Sequence, residues 1–202
     1  QRPALAEAEL PRAAAAAQAQ VHRAALLRGQ WLAAHTVALE NRPMDGRTGF
    51  YLYTPLQLAD GSAVLVQRGW VPRDQADRTR IAAPEPPTGE QALKGRIALQ
   101  PGRLYEISGA GAGPIRQNLG LSDFARETGL PLRPFIVIQE DPEGGASSTN
   151  DGLLRHWPLP AADVQKHHGY AFQWFALSAL VIALYVWFQL IRPARRRSAG
   201  RA

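Results

Sequence analysis

His167 and His168 stand side by side at the opening of a run, Gly169 to Ile191, that holds no charged residue: GYAFQWFALSALVIALYVWFQLI. If a helix runs through KHHGYAFQW, then His167, Tyr170 and Trp174 fall at i, i+3 and i+7 on one face, and the 3.6-residue period turns His168 about 100° away. Only one of the two imidazoles can share the aromatic stripe. A neutral imidazole above flat aromatic and small side chains (Ala171, Ser178) has the components to ligate the iron of a lipophilic planar cofactor such as haem. A second reading is an interfacial polar cap, in which histidines, glutamine and aromatic rings mark a boundary, and that is the commoner use of such residues. Spacing alone leaves both open.

The element expected to hold these residues is a membrane-spanning helix; the alternative is a buried globular helix, but core helices seldom run this long without a charge. Twenty-three residues at 1.5 Å rise cover about 34 Å, enough for a hydrocarbon core of about 30 Å with some tilt. Tyr170 and Trp174 near one end and Trp187 near the other sit where amphipathic rings prefer the headgroup boundary. Arg192, Arg195, Arg196, Arg197 and Arg201 follow in a short tail without an acid, and basic residues beside a span stay on the cytoplasmic side. Everything before Gly169 is then expected on the opposite face: the periplasm of a bacterium, or the intermembrane space of a mitochondrion. Setting those five arginines aside leaves 18 of the 23 basic residues against 17 acidic ones. The high pI therefore belongs to the tail, which can meet anionic lipid, and gives no reason to expect nucleic acid as a partner.

The preceding 165 or so residues suit one domain with a real core. With no cysteine and one methionine, disulfides, thiolate zinc sites and iron–sulfur clusters are excluded, and copper carriage is disfavoured. Residues 1–28 are alanine-rich and read as a helical lead-in broken at Pro11. From Trp31 the pattern changes to HTVALEN, GFYLYTPLQL, SAVLVQRGWV, QALKGRIALQ and RPFIVIQ, short β-branched or aromatic runs separated by turn-forming clusters. Asp60-Gly61 predicts a hairpin joining strands 50–58 and 63–71, with Pro55 suited to an edge or a bulge. Ser122 can cap a helix over SDFARET that Gly129 and Pro131 end. Segments 82–90 and 141–152 read as loops. The fold class is α+β: a β-rich extramembrane domain, sheet or barrel-like, with one helical insertion and a C-terminal transmembrane helix.

Enzymatic readings start weak. There is no nucleophile elbow, no phosphate-cradling loop and no HExxH, and the glycines of SGAGAG at 108–113 run into Pro114 rather than a helix. Carboxylates are scattered, so no acid–base pair can be nominated.

KHHGYAFQWFALSAL resembles the H-x-x-Y-A-x-x-W-F signature that opens the last membrane helix of the surfeit-locus protein one family of cytochrome c oxidase assembly factors. LENRPMDGRTGFYLYTPLQLADGSAVLVQRGWVP is similar to that family's extramembrane block, and LKGRI, YEI, IRQN and LLRHWP follow in its order. Relatives usually carry another membrane helix before this domain, and the chain begins about where that helix would stop. Gln165 stands where many relatives have Asn, and His168 is an extra histidine. The resemblance implies a non-enzymatic role in maturing haem–copper oxidase: receiving haem a from its synthase and presenting it to the catalytic subunit, with membrane lipid as the surrounding partner. It makes His167 the haem-linked ligand and places Tyr170 and Trp174 in the same motif. Asn41, Arg42, Gly49, Arg68, Gly69, Trp70 and Pro72 match the extramembrane block. Gly49 and Gly69 suit close strand approach and Trp70 a core position. Arg68 is either a solvated alternate strand position, the commoner case, or a residue that reaches a haem propionate or a partner carboxylate.

The organisation expected is a lead-in over 1–28 following a further membrane helix, a β-rich domain over 29–165, a transmembrane helix over 166–191 and a basic tail over 192–202. The same signature is shared by a cofactor-free scaffold that holds oxidase subunits, and an anchored enzyme is the third and weakest class. The expected orientation is testable directly: a tag after Ala202 resists protease added to intact spheroplasts while loop 141–152 is cut, and the reverse pattern overturns it.

Overall fold

The computed structural model describes residues 3–74, 81, 83–104, 113–141, 151–157 and 162–187, the side chains of 162–172 and 186 excepted. The chain divides into two compact units, Gln1–His156 and Trp157–Ala202. In the first, the described strands are β1 (Ala24–Trp31), β2 (Val37–Met44), β3 (Arg47–Gln57), β4 (Ala63–Pro72), β5 (Glu90–Ala98), β6 (Ile115–Arg116) and β7 (Leu132–Gln139). They form one sheet in the order β1-β5-β7-β4-β3-β2-β6, and β1 also pairs with β3. That last pairing, Gln30 with Gln57 and Trp31 with Leu56, closes β1, β5, β7, β4 and β3 into a five-stranded ring. All pairings in the ring are antiparallel except β4 with β7. The result is a Greek-key barrel, the class that includes OB barrels, with β2 and β6 continuing from the first half of β3.

The helical lead-in expected over 1–28 is largely replaced. Its described part holds a 3-10 turn at Glu7–Glu9 and the short helix α1 (Ala14–Gln18), and from Ala24 the backbone is a strand. Helix preference is worth only tenths of a kcal/mol per residue. Seven paired positions with β5 and the alternating burial of Ala25, Leu27 and Gly29 outweigh it.

The hairpin forms as the sequence predicts. β3 and β4 pair antiparallel from Gln57 opposite Ala63, and Gly61 takes a φ of +78° in the turn. Asp60 holds the turn, accepting bonds from the Ser62 amide and hydroxyl and facing Arg133 and Arg12. Those Ser62 bonds, then the two arginines, hold its carboxyl below the usual range. The Leu93, Gly95 and Ile97 positions of β5 are buried in alternation.

The run AVLVQRGWV is buried along both faces, with Val64, Leu65 and Val66 in two buried clusters and Val71 in a third. Val64 and Val66 point inward with Leu27, Leu56, Phe135 and Val137. Leu65 points outward with Tyr53 and Ile136, and the helix α2 (Leu121–Thr128) covers them through Leu121 and Phe124. This α2 is the expected insertion, but its N-cap is Gly120, with no side-chain cap, rather than Ser122. Gly129 ends it in the left-handed conformation, φ +69°. The second unit contains α3 (Ala162–Val186), which starts four residues before the expected 166. Most of SGAGAG, the loop 142–150, residues 188–191 and the tail 192–202 lie outside the described residues.

Ring closure sets a stringent demand at Gly29. A Cβ there would stand 2.0 Å from the Gln57 carbonyl oxygen, which only a shift of the seam could relieve. Gly29→Ala is expected to cost about 1–3 kcal/mol, lowering the thermal midpoint of the domain. Gly102→Ala, whose Cβ would meet only the end of Arg42 at 3.9 Å, is expected to change stability by less than about 0.5 kcal/mol. Equal midpoints for the two variants would show that the seam is not tight.

Candidate functional site

The two units offer two candidate sites. On α3 the backbone is helical without interruption from Ala162 to Val186, which places His167, Tyr170 and Trp174 along one face and His168 about 100° from it. The side chains of His167, His168 and Tyr170 lie outside the described residues. Trp174 is 67% exposed, and each residue of 173–185 is exposed, Phe175, Val181 and Ile182 among them. These thirteen positions cover about 20 Å at 1.5 Å per residue. No helix among the described residues is long and apolar enough to cross a membrane. No group of three or more His, Cys, Asp or Glu among them could hold a bare metal ion.

The second site is the barrel mouth, and a change of register falls within it. Leu52 pairs with Gly69 but Tyr53 pairs with Gln67. Arg68 is therefore an extra residue in β4, a β-bulge, and bulges re-aim side chains. The solvated alternate position expected for Arg68 is thereby corrected: it is 1% exposed. Its guanidinium lies over the Trp31 ring, 5.3 Å from the centroid, and its Nη1 donates to the Pro84 carbonyl at 3.5 Å. Burial lowers its pKa, Asp151 opposes that shift and Arg155 adds to it. Arginine nonetheless stays protonated. Arg68, Trp31, Gln91, Leu93, Gln139 and Asp151 line a cleft with about 270 Å³ of space, part of it open to solvent.

Arg155 builds the floor beneath this residue. Its side chain is fully buried, its Nε donates to the Arg68 carbonyl at 2.7 Å, and Nη1 and Nη2 bind Asp141 and Asp151. Leu154 and Trp70 exchange backbone bonds of 2.8 and 3.0 Å, so the 151–155 segment is fastened across the bulge. Gly69 permits this approach, since a Cβ there would be 2.5 Å from that of Leu153. Gly49 likewise lies against the Trp70 ring and the Val71 carbonyl, as its place in the block implies.

A second bulge lies on β2. Between Leu39 opposite Tyr51 and Arg42 opposite Gly49 the strand carries one residue too many, and Asn41 adopts φ +59° there. Arg42 follows it, 4% exposed, donating through Nη2 to the Gln117 carbonyl at 2.7 Å and lying over Tyr51. Its carbonyl accepts from the indole of Trp70, which is buried as expected. Burial pushes the Arg42 pKa down and the Tyr51 pKa up.

The structure thus brings Arg68 to a cleft in the first unit and places His167, Tyr170 and Trp174 on one helix of the second. Trp31 and Arg155 are the members that the residue pattern did not reveal. A strand-end tryptophan reads as core, and no spacing in LLRHWP says that Arg155 will be buried. Register shifts leave no trace in a period-2 pattern beyond the arginine among apolar residues.

The sequence model of the SURF1 family matches residues 1–179. A SURF1-like protein of Rickettsia bellii (strain RML369-C) is 27% identical over 143 residues, which cover 69% of this chain and 56% of that protein. A SURF1-like protein of Dictyostelium discoideum is 42% identical over 48 residues, covering 24% of this chain and 18% of that one. The chain spans about half the length, or less, of these relatives.

Because Arg155 bridges two carboxylates and a carbonyl, Arg155→Ala strands three acceptors and is expected to destabilise the domain by about 3–5 kcal/mol. Arg155→Lys keeps the charge but not the fork, and should recover only part of the loss in a denaturant melt. Wild-type stability in both variants would rule out this role.

Proposed function

From the premise that the chain belongs to the SURF1 family, we propose that it is a membrane-bound assembly factor for haem–copper cytochrome c oxidase, binding haem a as cargo and aiding its insertion into the catalytic subunit. The observation that carries the reading is the unbroken helix through KHHGYAFQW, on which the one-face placement of His167, Tyr170 and Trp174 depends. In this reading α3 continues into the apolar run to Ile191 and spans the bacterial inner membrane, or its mitochondrial counterpart. The arginine tail is cytoplasmic and the barrel lies in the periplasm or intermembrane space. The exposed apolar side chains of 173–185 support it, because a stripe of this kind needs an apolar cover. Haem a synthase is the donor partner and the oxidase catalytic subunit the acceptor.

The placement fits the cargo chemically. A neutral imidazole is an ordinary axial ligand of haem iron, and flat aromatic side chains on the same helix face favour a planar macrocycle over a bare ion. His167 supplies the nitrogen, Trp174 an exposed ring two turns on, and Tyr170 the ring between them.

His167→Ala should then remove most of the haem that copurifies with the full-length protein from cells making haem a, or abolish its low-spin visible spectrum. His168→Ala, at the same depth, should leave most of it, and Tyr170→Phe should have a small effect because the ring is kept. If both histidine variants retain wild-type haem while oxidase assembly fails, the ligand assignment is wrong and a cofactor-free scaffold explains the family role. Equal loss in both would contradict the one-face geometry.

A further inference from the structure

The barrel mouth holds a charge that the fold leaves open. Three other buried arginines of the first unit have every guanidinium nitrogen bonded. Arg116 uses Gly113 and both oxygens of Glu127, Arg133 uses Ser62, Pro11 and Asp60, and Arg155 uses Arg68, Asp141 and Asp151. Arg68 is as buried as these, yet its Nη1 has one long bond to Pro84, and its Nη2 has no hydrogen-bond partner among the described residues. A buried, charged donor left unpaired is costly, and native structures retain few of them. This one lines a cleft whose wall is the Trp31 ring on which the guanidinium rests.

We infer that this cleft is a binding site for a carboxylate on a short aliphatic stem, with a carboxylate oxygen accepting from Arg68 Nη2 and the stem lying against Trp31 and Leu93. Three observations fix the chemical class. The guanidinium is planar and recognises planar two-oxygen acceptors. Gln91 and Gln139 add polar, uncharged lining. Asp151 also lines the cleft, but its Oδ1 accepts from the Leu153 amide and its Oδ2 from Arg155. With Arg68, Arg155, Asp141 and Asp151 together the local charge is neutral. A monoanion gains the directed bond there, whereas a doubly charged phosphate would meet the Asp151 carboxylate without a matching field. The carboxylate can come from a haem propionate or from the terminus or acidic side chain of a protein segment, and the two sources are separable.

The test uses the full-length chain in detergent with its five tryptophans labelled at the indole nitrogen. Sodium propionate is titrated against sodium chloride at constant ionic strength. A saturable shift of the Trp31 signal is expected, and Arg68→Gln should weaken it about tenfold or more, the usual weight of a bond to a charged donor. The Trp70 signal, set by its bond to the Arg42 carbonyl, reports whether the variant is folded. If it is not, Arg68→Lys keeps the charge without the fork and should bind propionate more weakly than wild type. No saturable shift, or an undiminished one in a folded Arg68→Gln, overturns the inference. Competition then separates the sources. Displacement by a metal-free dicarboxylate porphyrin identifies the propionate source, and displacement by a short peptide with a free but not an amidated C-terminus identifies a protein. Failure of both overturns a physiological site. His167→Ala leaves the propionate titration unchanged on this account, so loss of the haem ligand and loss of the carboxylate site are read independently.

Discussion

The first unit depends on β3 serving two partners along one edge. Eleven residues long, it pairs through Arg47–Tyr53 with β2 and through Leu56 and Gln57 with β1, while β4 occupies its other edge. The exchange of partners falls at Thr54 and Pro55. Proline has no amide to donate, and its place in a sheet is where no donor is wanted. Pro55 sits in this gap, and its carbonyl takes the Leu32 amide at 2.9 Å just beyond β1. The same closure removes the free edges of the five ring strands, brings the Gln57 carbonyl against Gly29, and delivers Trp31 to the barrel mouth.

Closure alone would leave β4 a plain apolar strand, and Arg68 changes that. Gln67 lies outside, where its Oε1 accepts from the Tyr53 hydroxyl at 2.6 Å. Arg68 follows on the side of Val64 and Val66 and carries a guanidinium into the barrel. The desolvation of that cation is offset in part by the Trp31 ring, a contact worth about 0.5–2 kcal/mol depending on how far water is excluded, and by Asp151. Arg42 on β2, two strands away, is likewise placed beside a bulge, on a tyrosine, with a main-chain carbonyl as acceptor. Buried charge placed at bulges rather than along regular strand is a way of aiming a side chain without losing the ladder on either side.

The sequence makes the β-rich body, the hairpin at Asp60-Gly61, the inserted helix and the core position of Trp70 legible, because each rests on a local rule of period, turn chemistry or size. Three features escape such rules. The strand at 24–31 is hidden by alanines whose helical preference is overridden by pairing with residues some seventy positions later. The cap of α2 sits at Gly120 because the backbone enters the helix there, although Ser122 has the better side chain for capping. Arg68 is misplaced as a solvated position because β4 is buried along both faces, which alternation alone does not tell. The motif around His167 stands differently: its face is set by the helix backbone, which the structure supplies, and its chemistry by residue type, which the sequence supplies.

What the barrel can do follows from the kind of charge it buries. Among the described residues of the first unit the buried ionisable groups that shape the cleft and the second bulge are arginines, and Tyr53, whose pKa burial drives well above the usual phenol value. Neither exchanges protons near neutrality, so these groups are suited to recognition and poorly suited to acid–base chemistry. Fold alone does not assign function, since Greek-key barrels host many. An interior furnished with fixed donors on aromatic platforms suits binding. It also means that any selectivity of this unit comes from geometry. A cation that cannot be titrated away binds or fails to bind according to whether the acceptor is planar, singly charged and small enough to reach it.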